Sequence, residues 1–549
     1  MIIVQAFLIE IHTFIVFLLI GGTIMARTTL TQMLRNAYLE TCKTFEKDTL
    51  WNPFHQGECL EKQDSALSLT VPPISTPSLS TFLSLNKPVS PKVVIVGAGL
   101  AGLTCAYRLK QAGVSSTVYE ANNQVGGRCS TRRGDFSANQ IVERGGTLID
   151  TEHQAILRLS RELGLQLDNL RKAEVKGTEP FYYFDGCSYS FAEAAQDFKQ
   201  IFHRLQTDLR FADYPTLYNR FTKRGFELDH MSIVDWINET VPGGINSKFG
   251  QLLDVAYNIE YGAESNEQSA LNLIYLLGFS RKRPFQLFGS SDERFHIHGG
   301  NDQIPTILAK RLESQIVTGT RLVAIKENCN GSYTLTFQNA TNTLDVTADK
   351  VVLTTPFSIL RTSVDYSKAG LRPLKITAIE ELGMGTNTKL HVQFHNRYWN
   401  NLGCNGETFS DRGYQNTFEA SRAQAGKNGI LVNYTGEIIS TDFNRDTPQE
   451  QAEKFLKQLE PVLPGISSKW NGLATRDNWL ENPFTFGSYS YRKVGQYMKF
   501  AGIEGEREGT KGNLHFAGEH TSIEFQGYMN GAVESGERAA QEILGDLKC

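Results

Sequence analysis

Apolar spacing divides this chain near Lys92. From there KVVIV is an unbroken β-branched run, the pattern of a strand buried on both faces of a parallel sheet. A helical pattern from about Leu100 to Gln111 and a second strand, STVYE, follow it, which together predict a β-α-β unit. Helical spacing then dominates from Glu152 to Leu277, and strands are expected to return only after about Phe295. Residues Arg321 to Leu353 alternate in short strands, Lys389 to Phe394 reads as another strand, Leu514 to Phe516 as a short one, and Met529 to Leu544 as a helix. The order predicts an α/β protein in which a helix-rich insertion interrupts one Rossmann-like nucleotide-binding fold. No repeat with a period of 20–50 residues is visible.

Ahead of Lys92 the character is different. Phe14 to Met25 is almost wholly apolar, short for a spanning helix of about 20 residues, and without the basic flank of a secretory signal. Membrane anchor or uncleaved signal, cleaved signal, and a true start at Met25 remain three open readings. The first two place the protein at a membrane or outside the cell, the third in the cytoplasm. A helically spaced patch at Leu30, Met33, Leu34, Ala37 and Tyr38 leads into a Ser/Thr/Pro-rich connector from Ser65 to Pro91.

The 549 residues exceed what one core fills, and the net charge of -4 offers no basic stripe for nucleic acid. A small-molecule partner is therefore expected. Eight cysteines without a C-x-x-C pair indicate neither a disulfide scaffold nor a zinc site. His296 and His298 share a strand face but lack an identifiable third ligand, which argues against a metal.

Directly after the first strand stands VGAGLAGLTCAYRL, with Gly97, Gly99 and Gly102 in G-x-G-x-x-G spacing. Gly97 allows the tight turn, Gly99 lets the backbone approach a pyrophosphate, and Gly102 lets helix and strand pack closely. Free N–H groups at the helix start favour phosphate charge. Glu120, eighteen residues past Gly102, ends the second strand in position to bind an adenosine ribose. Next comes ANNQVGGRCSTRR, in which Gly126, Gly127 and Arg128 bring backbone and a guanidinium toward phosphate oxygens. VERGGTLID, with Gly145 and Gly146, follows.

These segments, together with NLHFAGEHTSIEFQGYMNGAVESGERAAQEIL near the C-terminus, resemble the flavin-containing amine oxidase family, which includes monoamine, polyamine and L-amino acid oxidases. The resemblance runs from about Lys92 to Leu544. It implies a GR2-type FAD-binding domain interleaved with a mixed α+β substrate domain. Boundaries follow at 1–25 (apolar segment), 26–90 (extension and linker), 91–160, 295–375 and 500–549 (FAD-binding), and 161–294 and 376–499 (substrate). It also implies that Gly145 and Gly146 pass beneath the flavin, that Val323 meets the adenine through its backbone, that Glu519 contacts the cofactor's sugar-like chain, and that the helix starting at Tyr528 and Met529 faces the flavin.

On the substrate side, Tyr489 and Tyr528 match the two aromatic walls that orient an amine, and Lys389 matches the family lysine that holds a water near flavin N5. Strand alternation puts Asn387, Lys389 and His391 on one face. Ser488 occupies the place where monoamine oxidases carry the cysteine that bonds the flavin, so FAD is expected to be non-covalent. Leu148 occupies the place of the carboxylate-binding arginine of the snake-venom L-amino acid oxidases, which leaves Arg144 or an arginine of the insertion for that task. The implied reaction is oxidative deamination of a primary amine or L-amino acid, with hydride transfer to N5, hydrolysis of the imine, and release of ammonia and hydrogen peroxide. Oxygen, or a quinone if the N-terminus is membrane-attached, is the acceptor. The alternatives are a carotenoid or porphyrinogen desaturase and a non-catalytic FAD-binding protein.

Overall fold

The computed structural model describes residues 91–548, apart from position 283 and residues 442–444. The apolar segment 1–25 and the linker 26–90 lie outside the described residues. Among those described, no helix is long and apolar enough to cross a membrane.

Strand β1 (Val93–Val96), helix α1 (Leu100–Gln111) and strand β2 (Ser116–Tyr119) form the expected unit. β1 is central in a five-stranded sheet, flanked by β2 and then Ile316–Val317 on one side, and by Lys350–Leu353 and then Leu514–Phe516 on the other. All four pairings are parallel. The unbroken apolar run of β1 is explained by its two covers: Val93 and Ile95 pack with α1 and the closing helix Met529–Asp546. Val94 and Val96 pack with a four-stranded sheet that includes Arg321–Glu327 and Tyr333–Gln338.

A seven-stranded sheet forms the second body of the fold, in the order Trp470–Asn478, Thr388–Phe394, Gly429–Thr435, Asn416–Glu419, Cys404–Ser410, Glu179–Phe184, Cys187–Tyr189. Leu390, Val392 and Phe394 cluster with helix Pro448–Leu459, so the alternate residues of that strand face the other way. Helices Phe191–Ala212, Ile233–Thr240, Lys248–Tyr261 and Ala270–Leu277 make up the insertion and share one apolar cluster. Ser190 with Glu193 and Ser232 with Asp235 form capping boxes that start two of them.

Two expectations need correction. The stretch Glu152 to Leu277 is not only helical, because Glu179–Phe184 and Cys187–Tyr189 make a hairpin at the edge of the large sheet. Its two-residue turn is Asp185-Gly186, with φ of 54° and 72°, a local turn signal that outranks helical spacing. The expected boundary at 375/376 falls inside helix Pro373–Glu381, whose Ala378 and Ile379 belong to the core on the nucleotide side.

Gly102 fixes the contact between α1 and β1, since a Cβ there would lie 2.0 Å from the Gly97 carbonyl oxygen. Backbone on both sides leaves nothing to yield. Gly102→Ala should therefore cost about 3 kcal/mol, the upper end for overpacking, read as a lower urea midpoint at unchanged m-value.

Candidate functional site

A cavity of about 450 Å³ opens off the carboxyl ends of the parallel strands. Val96 ends β1 and Gly97 follows it, Glu120 follows β2, Thr354 follows Lys350–Leu353, and Gly518 and Glu519 follow Leu514–Phe516, all on its wall. This is where an open α/β sheet binds its ligand, at the point where successive connections leave in opposite directions.

The glycines of the first motif are divided as their spacing predicts. Gly97 has φ of 103° and donates its N–H to the Tyr119 carbonyl at 2.7 Å. A Cβ on Gly99 would meet nothing within 4 Å, so the backbone is bare on its cavity side. Gly99 caps α1 without a side-chain hydrogen bond, leaving the first N–H groups of the helix for an anion. Gly102 is not on the cavity wall and serves packing alone. The Glu120 carboxylate accepts from the Ala98 and Asn122 amides at 2.7 and 2.8 Å, and burial pushes its pKa up. Gly126 donates to the Ala98 carbonyl, which lays Gly126, Gly127 and Arg128 along the same wall.

Arg128 lines the cavity, where it was expected, and is anchored by one nitrogen. Its Nη1 is already held by the Glu519 carboxylate and the Ser488 carbonyl, both at 2.8 Å. Glu519 accepts further hydrogen bonds from the Ser490 amide and hydroxyl and from the Gly527 amide. Burial alone would raise its pKa, but the Arg128 charge and these donors hold it below the usual carboxylate value. Pairing shifts register between Leu322 and Ala324, which leaves Val323 without a cross-strand partner next to Thr320, Arg321 and Leu322 on the cavity wall.

Gly145 and Gly146 pass between close neighbours. A Cβ on Gly145 would be 2.0 Å from the Arg128 carbonyl oxygen, and one on Gly146 would be 2.7 Å from the Met529 side chain. Lys389 is buried and donates from Nζ to the Gly145 carbonyl and the Thr147 hydroxyl, each at 2.5 Å. A contact to the Glu143 carbonyl, at 3.5 Å, leaves one N–H weakly engaged. Burial lowers the Lys389 pKa to about 8. Of the three residues expected on one strand face, Asn387 and Lys389 reach the cavity, whereas His391 is buried near Asp477 and burial lowers its pKa to about 3.

Tyr489 and Tyr528 both line the cavity, and the Tyr489 ring lies beside Gly527. Sequence reasoning missed the group that ties them. Glu260, in the last turn of helix Lys248–Tyr261, accepts from the Tyr489 hydroxyl at its carbonyl (2.7 Å) and from the Tyr528 hydroxyl at Oε1 (3.0 Å). Tyr489 has given its only hydrogen to Glu260, so the Tyr434 hydroxyl, 2.7 Å away, donates to it. Burial pushes the Glu260 pKa up to about 7. A signal was present: an acidic residue in the last turn of a helix opposes the negative end of the dipole. Leu148 also lines the cavity, but Arg144 is bound to Asp477 at 2.7 Å and is not on the wall. Arg128 and Arg321 are the arginines on the wall among the described residues, and both belong to the nucleotide half. Neither Arg144 nor an arginine of the insertion lines the cavity among the described residues.

The donor set fits an extended dinucleotide: two uncapped helix starts, at Gly99 and Tyr528, face the cavity from opposite ends of the chain, and a bare glycine backbone lies between Glu120 and Arg128.

Comparison with known proteins agrees. Residues 100–544 match the family described as flavin containing amine oxidoreductase. A flavin-containing amine oxidase of Oncorhynchus mykiss is 24% identical over 83% of this chain and 86% of its own. An L-amino-acid oxidase of Echis ocellatus is also 24% identical, over 84% and 90%. The structure of cyclohexylamine oxidase from Brevibacterium oxydans superposes with a TM-score of 0.72, at 20% identity, over 84% of this chain and all (100%) of that one.

Because nothing opposes a methyl at Gly99 except a bound cofactor, Gly99→Ala should keep apoprotein stability within about 1 kcal/mol. FAD affinity, followed by flavin fluorescence on titration, should fall at least about tenfold, in contrast to Gly102→Ala, which loses stability first.

Proposed function

The chain belongs to the flavin-containing amine oxidoreductase family, with FAD as its cofactor, and we propose that it oxidatively deaminates a small-molecule primary amine, with non-covalent FAD and oxygen as the acceptor. The observation that carries this reading is the continuity of one cavity from the Gly97–Gly102 turn to the Tyr489 and Tyr528 hydroxyls, with Lys389 between them on its wall. When bound, FAD supplies the acceptor for two electrons. Everything else falls to the chain's own residues.

Two ring faces give an amine an electron-rich slot, and their hydroxyls, fixed on Glu260, cannot swing into it. Lys389 holds the Gly145–Thr147 strip in place, and a pKa near 8 lets its Nζ give up or take back a proton close to neutral pH. Ser488, whose hydroxyl donates to Asn387 at 2.6 Å, has no thiol with which to form a thioether. The overall reaction balances as RCH2NH2 + O2 + H2O giving RCHO + NH3 + H2O2. Amines are favoured over amino acids because, among the described residues, Arg128 and Arg321 on the nucleotide side are the guanidinium groups lining the cavity, and over carotenoids or porphyrinogens because two tyrosines and Glu260 line its substrate end.

Anaerobic mixing of the holoenzyme with a panel of amines and L-amino acids should bleach the flavin spectrum with amines, and acid precipitation should leave a yellow supernatant. Bleaching by L-amino acids alone would reverse the substrate assignment, and a yellow pellet would reverse the non-covalent one. Tyr528→Leu removes both ring face and hydroxyl and should lower kcat/KM by about tenfold or more, on the scale of a cation–π contact. Tyr528→Phe keeps the face and leaves Glu260 without its donor, so a smaller loss is expected.

A further inference from the structure

None of the hydrogen-bond acceptors of Lys389 is charged. Its Nζ donates to the Gly145 carbonyl, the Thr147 hydroxyl and, weakly, the Glu143 carbonyl. The Phe418 and Tyr434 rings stand 5.9 and 5.8 Å from it. The Glu143 carboxylate is engaged elsewhere, by the Thr131 hydroxyl, His296 Nε2 and the Asn301 amide. A buried ammonium with neutral acceptors alone needs a counter-charge within reach.

The large sheet supplies one. Lys389 pairs directly with Asp477 on strand Trp470–Asn478 and with Tyr434 on strand Gly429–Thr435. Residues directly opposite share a face, so Asp477, Lys389 and Tyr434 form one rank on the side away from Leu390 and Val392. His391, opposite Thr475, is next along that face. Asp477 is buried, and its carboxylate accepts from Arg132 Nη2 and Arg144 Nε, each at 2.7 Å, and from Arg132 Nε at 3.3 Å. Burial works against its ionisation, but His391 and these guanidinium groups hold its pKa below the ordinary value. His391, 4.0 Å from Asp477, is lowered to about 3 by burial and is neutral, which leaves the guanidinium groups to keep Asp477 ionised at neutral pH. Burial brings Lys389 down to about 8, against the opposing pull of Glu143 and Asp477. Asp477 therefore helps decide on which side of neutrality Lys389 gives up its proton.

We propose that Asp477 is a positioning residue for the reoxidation step: its carboxylate, fixed by Arg132 and Arg144, keeps the proton on Lys389, so that an ammonium stands in the cavity wall while oxygen is reduced. This rests on the amine-oxidising reading above and extends the part given there to Lys389. Oxygen becomes hydrogen peroxide by gaining two electrons from the reduced cofactor and two protons from the cofactor and solvent. Negative charge reaches it with the electrons, and a fixed cation in a buried wall stabilises that charge. Lys389 ends the step with the proton it began with. The signs follow from position. Asp477 favours the ammonium, whereas Arg144, which shares the Asp477 charge, disfavours it.

The test mixes photoreduced holoenzyme with oxygen in a stopped-flow instrument over a pH series, and so needs no amine. Wild-type reoxidation should slow as pH rises through about 8, where Lys389 loses its proton. Asp477→Asn should move that fall to lower pH by about 1 unit or more, Asp477→Glu should restore it, and Lys389→Met should abolish it. Arg144→Gln, at a position 44% exposed, keeps the question open to measurement if Asp477→Asn does not fold: the freed Asp477 charge should move the fall the other way, to higher pH. Thermal unfolding of the full-length holoproteins gives a readout outside activity. Asp477→Asn should cost more Tm at about pH 6.5, where Lys389 carries its proton, than at about pH 9.5, where it does not, and in the Lys389→Met background the cost should not change with pH. A fall at the same pH in Asp477→Asn and Arg144→Gln, with a Tm cost equal at both pH values, would overturn the proposal and leave Asp477 as a tie between strand Thr131–Arg132 and the large sheet. Failure of every amine to reduce the flavin would overturn the substrate assignment above without altering these curves.

Discussion

The Glu519 carboxylate is the constraint on which the cavity depends. It is buried, and it takes hydrogen bonds from three separate segments: the Arg128 guanidinium, the Ser490 amide and hydroxyl, and the Gly527 amide. Arg128 and Glu519 are 391 residues apart in sequence. One charged group thus joins the second glycine motif, the segment that carries Tyr489 and the loop that carries Tyr528. A carboxylate so placed is tolerable only because all its donors are present together, so the three segments are held as a unit.

The second constraint is close backbone approach. Gly97, Gly102, Gly145 and Gly146 each stand where a Cβ would meet another atom at 2.0 to 2.7 Å. Layers that would ordinarily be spaced by side chains are drawn together, and the space saved becomes the cavity. Gly99 is different in kind, since its missing side chain faces open space. The nucleotide half is therefore shaped by what is absent, and lined with donors that suit phosphate.

The other half has the opposite character. Tyr434, Tyr489 and Tyr528 form a hydroxyl chain fixed on Glu260, and Glu293 and Glu407 line the same cavity. The uncapped helix start at Gly99 lies with the nucleotide-binding glycines, and the one at Tyr528 lies beside Glu260.

What the sequence determined by itself was local. The unit of β1, α1 and β2, the place of Glu120 at the end of β2, the strand Leu514–Phe516 and the closing helix at Met529 all follow from periodicity and from glycines at fixed offsets, because those signals act over a few residues. The Asp185-Gly186 turn was equally local and was obscured only by the helical spacing around it. What tertiary structure alone decided involves partners far apart in the chain. The pairing of Arg128 with Glu519, the bulge at Val323, and the packing of Pro373–Glu381 into the nucleotide-side core belong here. So does the meeting of Glu260, Glu293 and Glu407 from a helix end, a pre-strand loop and a sheet strand. Periodicity tells which way each side chain points from its own element, but only the packing of elements sets which carboxyls share a cavity.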